Sequence, residues 1–309
     1  MYDALIVGGG IAGLQAAIQL GRYEHSVLVV DAGKGRSTLC RSYHNLLGWP
    51  NGVSGDELRA LGRQHAESLG VSFIQDEIRW AVRKEGGFAL TGIAGNRTYE
   101  GRTLLLATGL MDRIPDFPEL IPCLGMTVYV CPDCDGYEIR GKRTLVLGAG
   151  EVGANMALTL GSRAASMVYI NHEQTRVGPE LLKKLKERGI AYISAEIGRV
   201  RVTRPGEFAG VELVTGEIVE GERAFVAFGG NEVKSSLAAQ LGAERLENRH
   251  ILTDPRSKMT SVPGVWAAGD VGVHSEQVSI AMGEGAQAAI WMHKMIVRQR
   301  EWTKQPVPV

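Results

Sequence analysis

The chain has 309 residues, 44% of them hydrophobic, enough to bury one large core or two smaller ones. Its 34 basic and 34 acidic side chains cancel, so net charge gives no reason to bind nucleic acid or an acidic membrane surface. Four cysteines are too few for a disulfide scaffold, and the opening MYDALIVGGG has no basic leader and too short an apolar run to span a bilayer. The expectation is a soluble, cytoplasmic protein with neither a membrane nor a nucleic-acid partner.

Asp3–Val7 reads as a short apolar strand running straight into Gly8-Gly9-Gly10-Ile11-Ala12-Gly13. A helical pattern follows, and a second strand, Val27–Val30, ends on Asp31. This is a dinucleotide fingerprint in its expected context. Gly8 makes the tight turn, Gly10 lets a pyrophosphate approach the backbone, Gly13 lets helix pack on strand, and Asp31 is placed to hold a ribose hydroxyl. Gly33 to Asn51 is an irregular polar loop containing Arg36, His44, Asn45 and Trp49. Ser54 and Glu57 form a capping box opening a helix over Asp56–Leu69. Short strand patterns follow at Val71–Gln75, Ile78–Arg83, Phe88–Thr91 and Thr98–Gly101. A further apolar run, Thr103–Ala107, ends in Ala107-Thr108-Gly109, a turn that would return the chain to the first nucleotide. His25 and His65 read as solvated surface residues.

Ile114-Pro115-Asp116-Phe117-Pro118 breaks the pattern and marks a linker. Next comes Cys131-Pro132-Asp133-Cys134-Asp135-Gly136. Thiols three residues apart close a small disulfide ring, and such a pair in an intracellular chain exchanges electrons or binds metal. A structural zinc site needs four ligands, and the sequence offers no second CxxC and no His pair at zinc spacing. Cys40 and Cys123 are isolated, so a redox pair is expected and no metal. Asp135 follows the second thiol, where a carboxyl can move protons during dithiol–disulfide exchange.

A second strand–turn–helix comprises Thr144–Leu147 and Gly148-Ala149-Gly150-Glu151-Val152-Gly153, with a following strand, Met167–Ile170. Glu173 lies where a Rossmann acid holds an unphosphorylated ribose. A helix over Pro179–Arg188 and short strands through Arg223–Phe228 complete this second Rossmann-type unit, and Gly229-Gly230-Asn231 reads as a hinge. The Lys183–Lys186 run is the solvated face of that helix. The last segment holds an apolar strand ending on Gly269-Asp270, then a long helical pattern from about Gln277 to Val297, with a polar tail from Arg298 that reads as frayed. The fold class is α/β, with two Rossmann-like dinucleotide-binding domains, the second inserted into the first. The predicted boundaries are 1–113 with 242–309, and 114–241 between them.

Four landmarks together resemble the low-molecular-weight thioredoxin reductase family of FAD-containing disulfide oxidoreductases. They are GGGIAG at Gly8–Gly13, ATG at Ala107–Gly109, CxxCDG at Cys131–Gly136 and SVPGVWAAGDV at Ser261–Val271. The resemblance covers Asp3 to about Val297. It implies FAD in the split first domain, with Cys134 against the flavin, Cys131 attacking the partner's disulfide, Asp135 as acid/base, and a homodimer. The Gly33–Asn51 loop, Asn45 included, is suited to wrap the rest of that flavin. Asp270 is suited to accept from a ribityl hydroxyl, and the helix starting at Gln277 to face a flavin carbonyl or phosphate. One CxxC cannot both sit against a flavin and reach a protein partner, so the inserted domain is expected to rotate about its linkers.

Three departures bear on function. Pro132-Asp133 stands between the cysteines where the family has Ala-Thr, which looks closer to relatives that handle other disulfides, small-molecule dithiol oxidases among them. The family's His-Arg-Arg cluster for the 2′-phosphate of NADPH is replaced by Asn171-His172-Glu173-Gln174-Thr175-Arg176. Glu276 precedes Gln277 where the family commonly has arginine. The expected function is a thioredoxin reductase-like flavoenzyme acting on a thioredoxin-like or small disulfide substrate. Its donor site is atypical for NADPH, leaving NADH, a second FAD, or an empty site served by ferredoxin. The alternatives are a dithiol oxidase using oxygen and, from another class, a flavin-bound redox sensor.

Overall fold

The computed structural model describes residues 1–94, 97–273 and 275–304. They fall into two compact units, one made of Met1–Thr38, Asp56–Met111 and Val233–Val309, the other of Leu39–Gly55 and Asp112–Glu232.

The first unit is built on a seven-stranded sheet. Six of its strands run in the order Ser72–Gln75, Val27–Asp31, Tyr2–Val7, Thr98–Leu106, Gly87–Gly92 and Ile78–Lys84, and the seventh, Val265–Ala267, pairs with Thr98–Leu106 off this path. The first four are parallel neighbours, whereas Gly87–Gly92 is antiparallel to both of its partners. Tyr2–Val7 reads as one apolar run because both faces are covered. Ala4 and Ile6 enter a core with Ala16, Ala17 and Leu20 of the Ile11–Arg22 helix and Ala288, Ala289 and Met292 of the Val278–Lys304 helix. Leu5 and Val7 enter a second core on the opposite face. The two helices touch closely, since a Cβ on Gly285 would lie 2.2 Å from the Ala12 carbonyl oxygen.

Three expectations are corrected here. The patterns at Thr98–Gly101 and Thr103–Ala107 belong to one continuous strand, Thr98–Leu106. Its free edge changes partner midway: Thr98–Gly101 pairs antiparallel with Phe88–Thr91, and Leu104–Leu106 pairs parallel with Val265–Ala267. The pattern breaks at Gly101 because a side chain there would strike Leu5, with Cβ 2.5 Å from its Cγ. His25, expected on the surface, is 6% exposed, and its Nε2 lies 2.9 Å from Nδ1 of His293. Tyr23 stacks on that second ring, so a histidine pair is held between strand and C-terminal helix. His65 is exposed, as expected. The helix begun near Gln277 continues to Lys304, beyond the expected end, and the rest of the tail lies outside the described residues.

The second unit has a five-stranded parallel sheet in the order Ala191–Ile193, Ser166–Asn171, Arg143–Gly148, Arg223–Ala227 and Val128–Tyr129. Leu145 and Leu147 enter one core and Val146 the other. The strands between the last two Rossmann elements form a separate antiparallel sheet, Ile197–Arg204, Glu207–Leu213 and Ile218–Glu220, whose Val200, Phe208 and Val211 join the first of those cores. No helix among the described residues is long and apolar enough to cross a membrane.

Candidate active site

Cys131 and Cys134 form a disulfide with Cα atoms 5.3 Å apart. The local sequence explains the placement. Pro132 occupies the first turn of the short helix Pro132–Asp135, where its missing N–H costs nothing, and Cys131 is the N-cap. The Cys134 amide donates to Cys131 Sγ at 3.1 Å. Arg163 closes the helix from outside, its Nη1 donating to the Pro132 carbonyl at 3.3 Å.

Asp135, at the end of this helix, has a side chain 14% exposed, and its Oδ1 lies 3.8 Å from Nδ1 of His44. That is ion-pair distance, too long for a hydrogen bond. Burial pushes the Asp135 carboxyl above the usual aspartate range, with His44 opposing and Glu138 reinforcing the rise. Asp135 in turn raises the His44 imidazole above its ordinary value, against desolvation and with help from Glu138. Asn45 follows His44 in the same Leu39–Gly55 segment and is exposed. Cys40 and Cys123 are not in a disulfide. Among the described residues, no group of three or more His, Cys, Asp or Glu side chains is arranged to hold a metal.

In the first unit the turn Gly8–Gly13 is shaped by backbone contact. Gly8 sits at φ +105°, and a Cβ there would lie 2.3 Å from the Ala107 carbonyl oxygen. One on Gly13 would lie 1.9 Å from the Gly8 oxygen. Gly10 differs: a Cβ would meet nothing within 4 Å, and the Ile11–Arg22 helix that it caps has no side-chain cap and no acidic residue in its first turn. This open cradle at an uncapped helix N-terminus fits a dinucleotide pyrophosphate. Asp31 accepts from Arg59 Nη2 at 2.8 Å, while Arg59 Nε donates to the Gly9 carbonyl at 3.3 Å. The Thr108 hydroxyl donates to the Lys234 carbonyl at 2.6 Å, and Gly109 turns the chain at φ +65°. Gly269 donates its N–H to Glu284, itself paired with Lys258, and Gln277 is half-buried just before the last helix. Arg36 Nη1 meets both Asp270, at 3.2 Å, and Glu276, at 2.6 Å. The acidic residue before Gln277 is therefore matched by a cation from the polar loop.

The second turn, Gly148–Gly153, has the same sequence spacing and a different environment. The helix begins one residue earlier, at Gly150, with Glu151 in its first turn. Gly150 N donates to Asn171 Oδ1 at 2.9 Å, and its carbonyl accepts from the Tyr169 hydroxyl at 2.7 Å. Gly153 makes room for the Tyr169 ring, from which a Cβ would be 2.3 Å away, and Gly148 for the Ala227 carbonyl, at 2.5 Å. Glu173 forms an ion pair with Arg113.

Comparisons with known proteins identify the family. Residues 2–285 match the model of the family described as pyridine nucleotide-disulphide oxidoreductase. The chain belongs to that family. Thioredoxin reductase of Treponema pallidum is 29% identical over 93% of this chain and 95% of its own. The enzyme of the same name from Coxiella burnetii is also 29% identical, over 94% of each. The crystal structure of HlmI superposes with a TM-score of 0.85 at 28% identity, covering 97% of this chain and 94% of that one. The protein is thus a thioredoxin reductase-like, FAD-dependent disulfide oxidoreductase.

Within this oxidoreductase, the structure brings Cys131, Cys134 and Asp135 together on one helical turn. It brings Gly8, Gly10, Gly13, Asp31, Thr108, Gly109, Gly269, Asp270 and Gln277 into the first unit, and Gly148, Gly150, Gly153 and Glu173 into the second. Two residues escaped sequence reasoning. Arg59 sits on the Gly55–Ser68 helix with no motif around it, and His44 stood out only as a polar residue in a loop. Nothing in the spacing of either announces its carboxylate partner, because each contact is made across the fold.

Proposed function

We propose that Cys131–Cys134 exchanges electrons with the disulfide or dithiol of a thioredoxin-like protein or small molecule, with Asp135 and His44 handling the protons. The observation that carries this reading is the closed disulfide on a helical turn beside a largely buried carboxyl at ion-pair distance from an imidazole. The names of the relatives support a thioredoxin-like partner. FAD, when bound on the Gly8–Gly13 turn, supplies two-electron chemistry that no side chain provides. Gly10 and the amides after it would hold its pyrophosphate, Asp31 with Arg59 its adenosine end, and Asp270 and Gln277 its flavin end.

In the reduced pair Cys131 is the attacking thiolate, favoured by the Cys134 amide directed at its sulfur. It attacks one sulfur of a substrate disulfide, the S–S bond breaks, and the other substrate sulfur leaves as a thiolate that takes a proton. Cys134 then attacks Cys131 Sγ, restoring the internal disulfide and releasing the second substrate thiolate, which also takes a proton. Asp135, with its raised carboxyl pKa, holds a proton closer to neutral pH than an exposed aspartate does. His44 stabilises the carboxylate once that proton has gone. In this direction the donor is one other than NADPH: NADH, a second FAD, or a redox protein such as ferredoxin.

A second reading runs the exchange backwards. A substrate dithiol loses two electrons and two protons, its two sulfurs join, and dioxygen becomes hydrogen peroxide. It is favoured by the lack of paired arginines at Asn171–Arg176 and by Glu173 lying at that position, held by Arg113.

One experiment with two arms tests both. Anaerobically reduced holoprotein is mixed with oxidised thioredoxin and new thiols are counted; separately, aerobic holoprotein is given a model dithiol and oxygen uptake is followed. Exchange in either arm that is lost in Cys131→Ser and Cys134→Ser is the expected result. No exchange in either arm, or exchange that survives both substitutions, refutes the reading.

A further inference from the structure

The fold family leads one to expect a nicotinamide dinucleotide on the Gly148–Gly153 turn, and the residues present do not make room for it. The two turns of this chain differ in backbone as well as in surroundings, Gly10 lying at φ −79° and Gly150 at φ +52°. Above Gly10 the position of a Cβ is open, whereas above Gly150 a Cβ would lie 2.8 Å from Thr175 Oγ1 and 3.5 Å from the Arg176 carbonyl oxygen. The middle glycine of the fingerprint exists to let a pyrophosphate approach the backbone at that place, and here the chain's own side chain has taken it.

The filling is anchored. Asn171 is fully buried, and its Nδ2 donates to the Thr175 carbonyl at 2.7 Å and to the Tyr192 hydroxyl at 3.0 Å. The Asn171 Oδ1 takes the Gly150 amide, one of the first donors of the helix. Threonine is β-branched and stiff at χ1, so Thr175 has few rotamers into which to withdraw. Charge works in the same direction. Glu151 places a carboxylate in the first turn of this helix, where the first-unit helix has no acid, and a helix N-terminus already neutralised by a carboxylate attracts a diphosphate less. The adenosine end does not distinguish the two turns, since Glu173 pairs with Arg113 as Asp31 pairs with Arg59.

We propose that the second nucleotide turn is closed by the chain itself, through Asn171 and Thr175, and takes neither a nicotinamide dinucleotide nor a second FAD. The second unit keeps the Rossmann frame as the carrier of Cys131–Cys134. Of the donors named for the reductive direction it leaves only a redox protein, and the oxidative direction needs none of them.

The test is calorimetric titration of the oxidised holoprotein with NADPH and with NADH, alongside FAD released per chain on denaturation. Expected are one FAD per chain and no saturable heat with either nucleotide up to millimolar concentration. Saturable binding of either at micromolar concentration, or two FAD per chain, overturns the proposal. The variant Thr175→Gly/Glu151→Ala, checked for retained FAD and an unchanged melting temperature, reopens the turn and is expected to give saturable heat with at least one nucleotide below millimolar concentration, where the parent gives none. If the folded variant is as silent as the parent, Thr175 is not what closes the turn, and the proposal fails.

Discussion

Replacing His44 with glutamine removes the imidazole paired with Asp135. Two unit charges 3.8 Å apart attract by about 1 to 4 kcal/mol between the effective dielectric of a protein surface and that of water. His44 is 28% and Asp135 14% exposed on their side chains, so solvent screening puts the pair at the lower end, about 1–2 kcal/mol, or about one pKa unit. Burial and Glu138 then act on Asp135 unopposed, and its carboxyl rises further. The rate of exchange between Cys131–Cys134 and a model dithiol, measured anaerobically against pH, is therefore expected to show its carboxyl limb about one unit higher in His44→Gln. The limb contributed by His44 itself should disappear, and both wild-type values belong to the coupled pair. Both groups have folded-state values above their unfolded ones. Their contribution to stability is thus complete at low pH and is lost as pH rises through the raised values. A carboxyl limb that stays in place, or moves down, refutes the coupling and leaves His44 as a packing residue.

Two further perturbations probe the scaffold of the first unit. Glu284 pairs with Lys258 at 2.7 Å, with side chains only 9% and 14% exposed, and also accepts the Gly269 amide. Glu284→Ala strands a largely buried ammonium and is expected to cost about 3 kcal/mol in urea unfolding and to loosen FAD; a loss below about 1 kcal/mol would contradict this. Asp76 accepts from the amides of Glu77 and Ala94 and from the Tyr99 hydroxyl at 2.8, 3.0 and 2.8 Å, and Asp76→Ala is expected to cost about 3 kcal/mol by the same measurement. Asp76→Asn, which keeps an acceptor, should recover part of that loss.

The linear order of residues carried the two Rossmann frames and the redox turn, because those features depend on local spacing. Gly8, Gly10 and Gly13 are required by contacts within a few residues or with the adjoining strand, and Cys131, Pro132, Cys134 and Asp135 fit one helical turn whatever surrounds it. Apolar runs such as Tyr2–Val7 declared strands buried on both faces. Contacts between distant segments were decided only by the tertiary structure. Arg59 reaching Asp31, Arg36 reaching Glu276, and His44 reaching Asp135 join residues whose separation has no period to detect. The same holds for the burial of His25 against His293. The two glycine turns make the contrast sharpest. Gly8–Gly13 and Gly148–Gly153 share their spacing, but whether a phosphate can reach the middle glycine depends on what the fold lays over it. Over Gly10 it lays nothing within 4 Å, and over Gly150 it lays Thr175.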